Sequence, residues 1–244
     1  MPEGPSIVIL KEAVAQFKGK RIIAANGNTQ KLDVDRLIGE QITDFKSWGK
    51  HFLICFPSFA LRVHFMLFGS YLINETKSTP PRLHLQFNDG EINFYSCSLQ
   101  LIEKPLDEVY DWAADVMSPV WDPEKALRKL QAKPEMLACD AMLDQQIFSG
   151  SGNIIKNEVL FRIQVHPLSK LGSMPLEKLK EMIDQTVIYS FEFLYWKKEF
   201  TLKKHWLAHT KKICPRDHVP FHKEYLGKTN RRSYFCDVCQ KLYL

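Results

Sequence analysis

Two close pairs of metal-type donors near the end of the chain constrain its folding most: Cys214-Pro-Arg-Asp-His218 and, after seventeen residues, Cys236-Asp-Val-Cys239. A tetrahedral ion takes four N or S donors, and two tight turns joined by a hairpin deliver them without a large core. The spacing therefore predicts a β-hairpin built around one structural Zn2+ per chain, with Cys214, His218, Cys236 and Cys239 as ligands. Asp217 and His222 are the alternative donors in the first knuckle. With all four positions filled, none is left for water, so the site is read as structural rather than catalytic.

The same segment is strongly basic. Between Lys197 and Arg232 there are eleven Lys or Arg against three acids, a surplus larger than the +5 of the whole chain, so the remainder is slightly acidic. A basic stretch interleaved with Trp206, Phe221, Tyr225 and Tyr234 favours a phosphate-rich partner. No signal-peptide pattern and no apolar run of bilayer length precede it, which leads to the expectation of a cytoplasmic chain, in the bacterial cytosol, with no membrane partner. Six cysteines in that setting read as thiols or ligands rather than disulfides.

At 244 residues the chain has room for roughly two cores. An apolar stripe of Ile7, Leu10, Val14 and Phe17 predicts an N-terminal helix ended near Gly19. Short β-rich runs follow at 21–25, 51–56, 61–67 and 71–74, and Asn88-Asp89-Gly90 between alternating segments marks a hairpin. Ser118-Pro-Val-Trp121 reads as a linker, because Asp122-Pro123-Glu124 then caps a new helix. Helical patterns follow over 134–148, 153–163 and 175–196. The expected class is α+β: an N-terminal β-sandwich domain with a helix (1–115), a linker (116–122), a helical domain (123–210) and the zinc hairpin (211–244).

Ser149-Gly-Ser-Gly-Asn153 separates two of these helices. Glycines allow close backbone approach, and the free N–H groups opening the second helix suit a phosphate. Such a turn beside a basic hairpin points to grip on a nucleic-acid backbone.

The start of the chain carries different chemistry. Removal of Met1 leaves Pro2 with a secondary amine beside the carboxylate of Glu3. An α-amine of ordinary pKa, about 7.7 to 8.0, is partly neutral at working pH and can attack an aldehydic carbon to give an iminium ion. The competing reading is that Pro2 and Pro5 stiffen the entry to the first helix, with Glu3 facing its N-terminus.

Pro2-Glu3-Gly4-Pro5, a β-rich first half, a Gly-x-Gly-Asn turn and a C-terminal zinc hairpin, in that order, resemble the formamidopyrimidine-DNA glycosylase and endonuclease VIII family of DNA repair enzymes. The resemblance spans essentially the whole chain and implies a helix-two-turn-helix domain around the glycine turn. It implies that Pro2 is the nucleophile and Glu3 its neighbouring acid, that Lys50 in Trp48-Gly-Lys-His51 contacts phosphate near the lesion, and that Asn153 binds backbone phosphate. Arg231, five residues before Cys236, matches the arginine of the zinc hairpin, with Arg232 as its competitor for the contact to DNA. His64-Phe-Met-Leu-Phe-Gly69 resembles the loop that fills the hole left by an everted base; His64 then contacts DNA, and Met66, Leu67 and Phe68 form the wedge. Pro-Glu-Gly-Pro, and Tyr95-Ser-Cys-Ser98 in place of an Arg-Phe-Gly type loop, point to the endonuclease VIII branch.

The implied activity is a bifunctional glycosylase and abasic-site lyase of base excision repair, acting as a monomer on damaged double-stranded DNA. It would remove oxidised bases, pyrimidines by branch, through a Schiff base with Pro2 and β,δ-elimination. Two rivals stand beside it: a DNA-damage-binding protein that has lost catalysis on the same scaffold, and a zinc-ribbon RNA-binding protein.

Overall fold

The computed structural model describes residues 2–30 and 32–244; Met1, on whose removal the Pro2 chemistry depends, lies outside them. The chain divides into two compact units, one ending at Tyr110 and the other running from Asp111 to Leu244.

Helix α1, Gly4–Ala13, opens the first unit. Its N-cap residue, Glu3, is extended (φ −112°, ψ 173°), and the Ser6 N–H donates to the Glu3 carbonyl at 2.8 Å. Pro5 sits in the first turn, where its missing N–H costs nothing. Ile7, Leu10, Val14 and Phe17 are all buried, the last two just past the helix, so the expected stripe lies in the core. Burying each such side chain contributes about 1.5–3 kcal/mol.

Six antiparallel strands make one curled, sandwich-like sheet in the order β1-β5-β6-β4-β3-β2. They are β1 (Ala24–Asn26), β2 (Asp44–Trp48), β3 (His51–Cys55), β4 (Ala60–Ile73), β5 (Leu83–Phe87) and β6 (Gly90–Ile102). Phe87 pairs with Gly90, so Asn88-Asp89 forms the two-residue loop that the hairpin signal predicts. The runs at 61–67 and 71–74 are one strand, β4, and β2 is an addition to the strands the pattern indicates. Leu83, Leu85 and Phe87 alternate into the core against Phe94 and Phe52. A single helical turn, α2 (Leu106–Val109), ends the unit.

The second unit is helical apart from one hairpin. Helix α3 (Pro123–Gln131) is capped by Asp122, whose Oδ1 accepts from Lys125 N at 2.9 Å. The continuous helix expected over 134–148 is absent; one turn, α4 (Ala138–Ala141), remains. Asp144 Oδ1 takes the Gln146 N–H at 2.9 Å, a local bond that competes with helix continuation. Helices α5 (Asn153–Arg162) and α6 (Leu176–Lys198) pack against each other, with Tyr189 and Phe193 in the core. Strands β7 (His222–Leu226) and β8 (Arg231–Phe235) form the hairpin, which packs on α5. Among the described residues no helix is long and apolar enough to cross a membrane.

Candidate active site and metal centre

In the first unit, Pro2 is half-buried and Glu3 is 1% exposed although it sits at the mouth of a helix. Its side chain does not cap that helix. A carboxylate so placed is desolvated, an arrangement common where proton transfer occurs. Helix α1 packs across β2 and β3, and the turn joining those strands carries Lys50. Gly49 takes the first position of that two-residue loop with φ of 52°, a left-handed conformation suited to tight hairpins.

Register places His51 directly opposite His64, their rings edge to face at 5.1 Å. Trp48 and Tyr110 also pack on His51, at 5.5 and 5.7 Å between ring centroids. Burial, then the charges of Arg62, His64 and Lys50, push His51 down to about 3, while burial, Arg62 and Lys50 lower His64. Both rings are therefore neutral near pH 7. Nδ1 of His51 and Nε of Arg62 are buried without partners. His51 follows Lys50 in the chain and Arg62 lies two residues before His64, but only the β3–β4 register brings the two pairs together.

The expected wedge lies in an interruption of β4. Phe65 pairs with Cys97 and Ser70 with Tyr95, so residues 66–69 face the single residue Ser96, itself at φ of 49°. Surplus backbone cannot lie flat against β6, and it pushes Met66, Leu67 and Phe68 outward, to 54%, 53% and 83% exposure. Gly69 makes this possible: a Cβ there would stand 2.7 Å from Phe65 Cβ and 2.9 Å from the Ser96 carbonyl oxygen.

In the second unit, Asn153 is the first residue of α5, after Gly152 at the N-cap. The turn before it is braced by Gln145, whose Oε1 accepts from Gly150 N at 3.1 Å and whose Nε2 donates to the Ser151 carbonyl at 3.1 Å. Ser149 Oγ, Ser151 Oγ and Asn153 Oδ1 are buried without partners, which leaves polar capacity at a helix N-terminus. Arg231 opens β8 and is half-exposed. Arg232, on the opposite side of the strand, donates to the Tyr225 hydroxyl and lies over that ring at 5.0 Å.

Cys214, Asp217, Cys236 and Cys239 form the metal-type cluster, with one donor atom of each within 4.8 Å of the others. His218 is not in the group, so the residue brought to the fourth place differs from the Cys-x3-His reading; His222 is outside it as well. The knuckle closes through His218 N–H on the Cys214 carbonyl at 2.9 Å with His218 at φ of 58°, and this turn carries the preceding side chain over the sulfurs. Asp217 Oδ2 accepts from Cys214 Sγ at 3.3 Å and Cys236 Sγ at 3.2 Å. Three convergent cysteines, two of them fully buried, fit a structural zinc. Cys214, Cys236 and Cys239 would hold it, with a fourth donor from Asp217 or His218. The ion would tie the two knuckles together beneath the hairpin.

Residues 1–97 match the formamidopyrimidine-DNA glycosylase N-terminal domain. Endonuclease 8-like 2 of Bos taurus is 35% identical over 196 residues, covering 74% of this chain and 58% of that protein. Endonuclease 8-like 3 of Mus musculus is 30% identical over 202 residues, covering 79% of this chain and 33% of that protein. The chain thus spans little more than half the length of the first relative and a third of the second. Among solved structures, a viral DNA glycosylase superposes with a TM-score of 0.84 at 20% identity, over 98% of this chain and all of that one. Lactococcus lactis formamidopyrimidine-DNA glycosylase, non-covalently bound to DNA containing an abasic site, superposes at 0.86 and 18% identity, over 98% and 99% of the two chains. The fold is therefore that of a DNA glycosylase scaffold.

The domain match over the first 97 residues and the endonuclease 8-like relatives together support placing this chain in the formamidopyrimidine-DNA glycosylase and endonuclease VIII family. Its relatives place it towards the endonuclease VIII branch.

Proposed function

We propose that this chain is a bifunctional DNA glycosylase and abasic-site lyase that acts as a monomer on damaged duplex DNA and removes oxidised bases, pyrimidines in preference. The observation that carries this reading is the desolvated Glu3 carboxylate immediately after Pro2, at the start of a rigid helix. The match of the first 97 residues to the formamidopyrimidine-DNA glycosylase N-terminal domain and the likeness to a DNA-bound glycosylase support it.

With Pro2 as the first residue of the mature chain, its amine nitrogen attacks C1′ of the damaged nucleotide and the C1′–N bond to the base breaks. Glu3 delivers a proton to the ring oxygen as the C1′–O4′ bond opens, giving an iminium ion. That cation acidifies the C2′–H, and successive loss of the 3′ and 5′ phosphates follows, before water releases Pro2. Lys50 and His64 hold phosphate near the lesion, Met66, Leu67 and Phe68 fill the vacated stack, and Asn153 and Arg231 grip the strand. Zinc plays a structural part and takes no step in this sequence.

Borohydride trapping on duplex DNA with an abasic site tests the reading. Protein shown by intact mass to lack Met1 forms a covalent adduct, and protein retaining Met1 does not. Absence of an adduct from the processed protein, while a known lyase traps normally, would overturn it.

A further inference from the structure

Asn153 and Arg231 are far apart in sequence, yet the first two turns of α5 tie them together. Asn157, one turn into the helix and 1% exposed, uses its whole carboxamide for this. Its Oδ1 accepts the Tyr234 N–H at 3.1 Å, and its Nδ2 reaches the Arg232 carbonyl at 3.4 Å and the carbonyl of Asn153 itself at 2.8 Å. Arg232 C=O and Tyr234 N–H point to the same edge of a strand, so Asn157 occupies the place of a missing neighbouring strand for β8. Beside it, Lys156 is 0% exposed and donates through Nζ to the Arg232 carbonyl at 3.1 Å and to Ser233 Oγ at 2.8 Å. Burying an ammonium group is costly unless it is fully hydrogen-bonded, so a lysine at this place fixes the strand rather than merely filling space. Glu158 completes the anchor from the same helix, accepting the N–H groups of Leu207, Ala208 and His209 at 2.7–3.0 Å.

We propose that Lys156 and Asn157 are positioning residues that set the distance from Asn153 to Arg231, so that the two grip the phosphates of one DNA strand as a single rigid unit. This rests on the proposed DNA-lesion function. Neither side chain need touch DNA; each acts by holding β8 to the helix that begins with Asn153. A hairpin held only by its zinc would keep its own shape and lose its register on α5.

The test uses the full zinc-loaded chain and a duplex carrying a tetrahydrofuran abasic analogue, with binding read by fluorescence anisotropy. N157A and K156M are expected to bind about tenfold more weakly while retaining one zinc and a cooperative thermal transition. A double-mutant cycle separates positioning from general stability: N153A and R231A are non-additive in the wild-type background and additive in N157A. A merely structural role would lower the thermal midpoint and leave that coupling intact. Affinities within about twofold of wild type, or coupling that survives in N157A, overturn the proposal. Should both variants fail to fold, S233A decides, since it removes one Lys156 contact from a buried serine; about threefold weaker binding supports the proposal and unchanged binding overturns it. Wild-type protein that does not bind the abasic duplex brings down the functional reading, and the positioning role with it.

Discussion

The carboxylate of Asp140 closes directly over Gly227: it accepts from Lys228 N at 3.0 Å and Thr229 N at 3.2 Å, and a Cβ on Gly227 would stand 2.4 Å from Oδ1. The turn between β7 and β8 is thus held by a buried carboxylate on α4, and Gly227, at φ of 72°, is the residue that lets them meet.

Replacing Asp140 leaves backbone donors without their charged acceptor. D140A is expected to cost about 2–4 kcal/mol in urea unfolding, and G227A to be destabilising through both its φ and its clash. D140N, which keeps the shape and half the acceptor capacity, should fall between. A D140A midpoint indistinguishable from wild type would show that the turn holds itself.

The exposed loop of β4 predicts a separation of function from stability. M66A, L67A and F68A remove surface side chains, so each should change stability by no more than about 0.5 kcal/mol. On the proposed function, lesion binding and strand cleavage should fall, most in the triple variant, because an everted base would leave a gap for these side chains to fill. G69A is the contrasting case, for its Cβ has no room and the loop must rearrange. Unchanged cleavage by the triple variant would remove these residues from the site.

Zinc occupancy should discriminate between the two candidate fourth ligands. The hydrogen bonds holding Asp217 over the sulfurs need thiol protons, and zinc binds thiolates. Structural zinc sites are built from Cys and His donors, which favours the His218 imidazole over the Asp217 carboxylate once the ion is bound. H218A is therefore expected to lose more zinc than D217A in metal analysis after dialysis, and C236S to lose nearly all. The opposite order would make Asp217 the ligand.

Two half-buried histidines give the fold a pH dependence of definite sign. Burial first, then neighbouring cations, holds His51 down to about 3, and burial followed by the Lys156 charge holds His209 down to about 4. Below the ordinary value of 6.5 the unfolded chain takes up protons that the folded chain refuses. Stability is full above that value and declines as pH falls towards the folded values, by at most about 1.4 kcal/mol per pH unit for each histidine. A thermal midpoint series from pH 7 to pH 4.5 should fall accordingly, and H51F or H209F should flatten it. A level profile in wild type would mean that neither ring is kept neutral by the fold.

Local pattern made much of this molecule legible in its sequence. The stripe of Ile7, Leu10, Val14 and Phe17, the Asp122 cap, the Asn88-Asp89-Gly90 hairpin and the paired cysteines each lie within a few residues, and propensity and spacing act at that range. The α+β class and the family followed from their order. The helix expected over 134–148 gives way where the backbone at 136–139 bonds to 167–171, and again at Asp144, whose side chain takes the Gln146 N–H; apolar periodicity registers neither.

Only the tertiary structure decided the rest. Whether Met66, Leu67 and Phe68 faced the core or solvent depended on four residues of β4 opposing one of β6. His51 and His64 meet through strand register, and Lys156 reaches the Arg232 carbonyl across 76 residues of sequence. Contacts of that kind depend on which backbones are brought side by side and in what register; a shift of one residue in the strand pairing would turn His51 or His64 to the other face of the sheet.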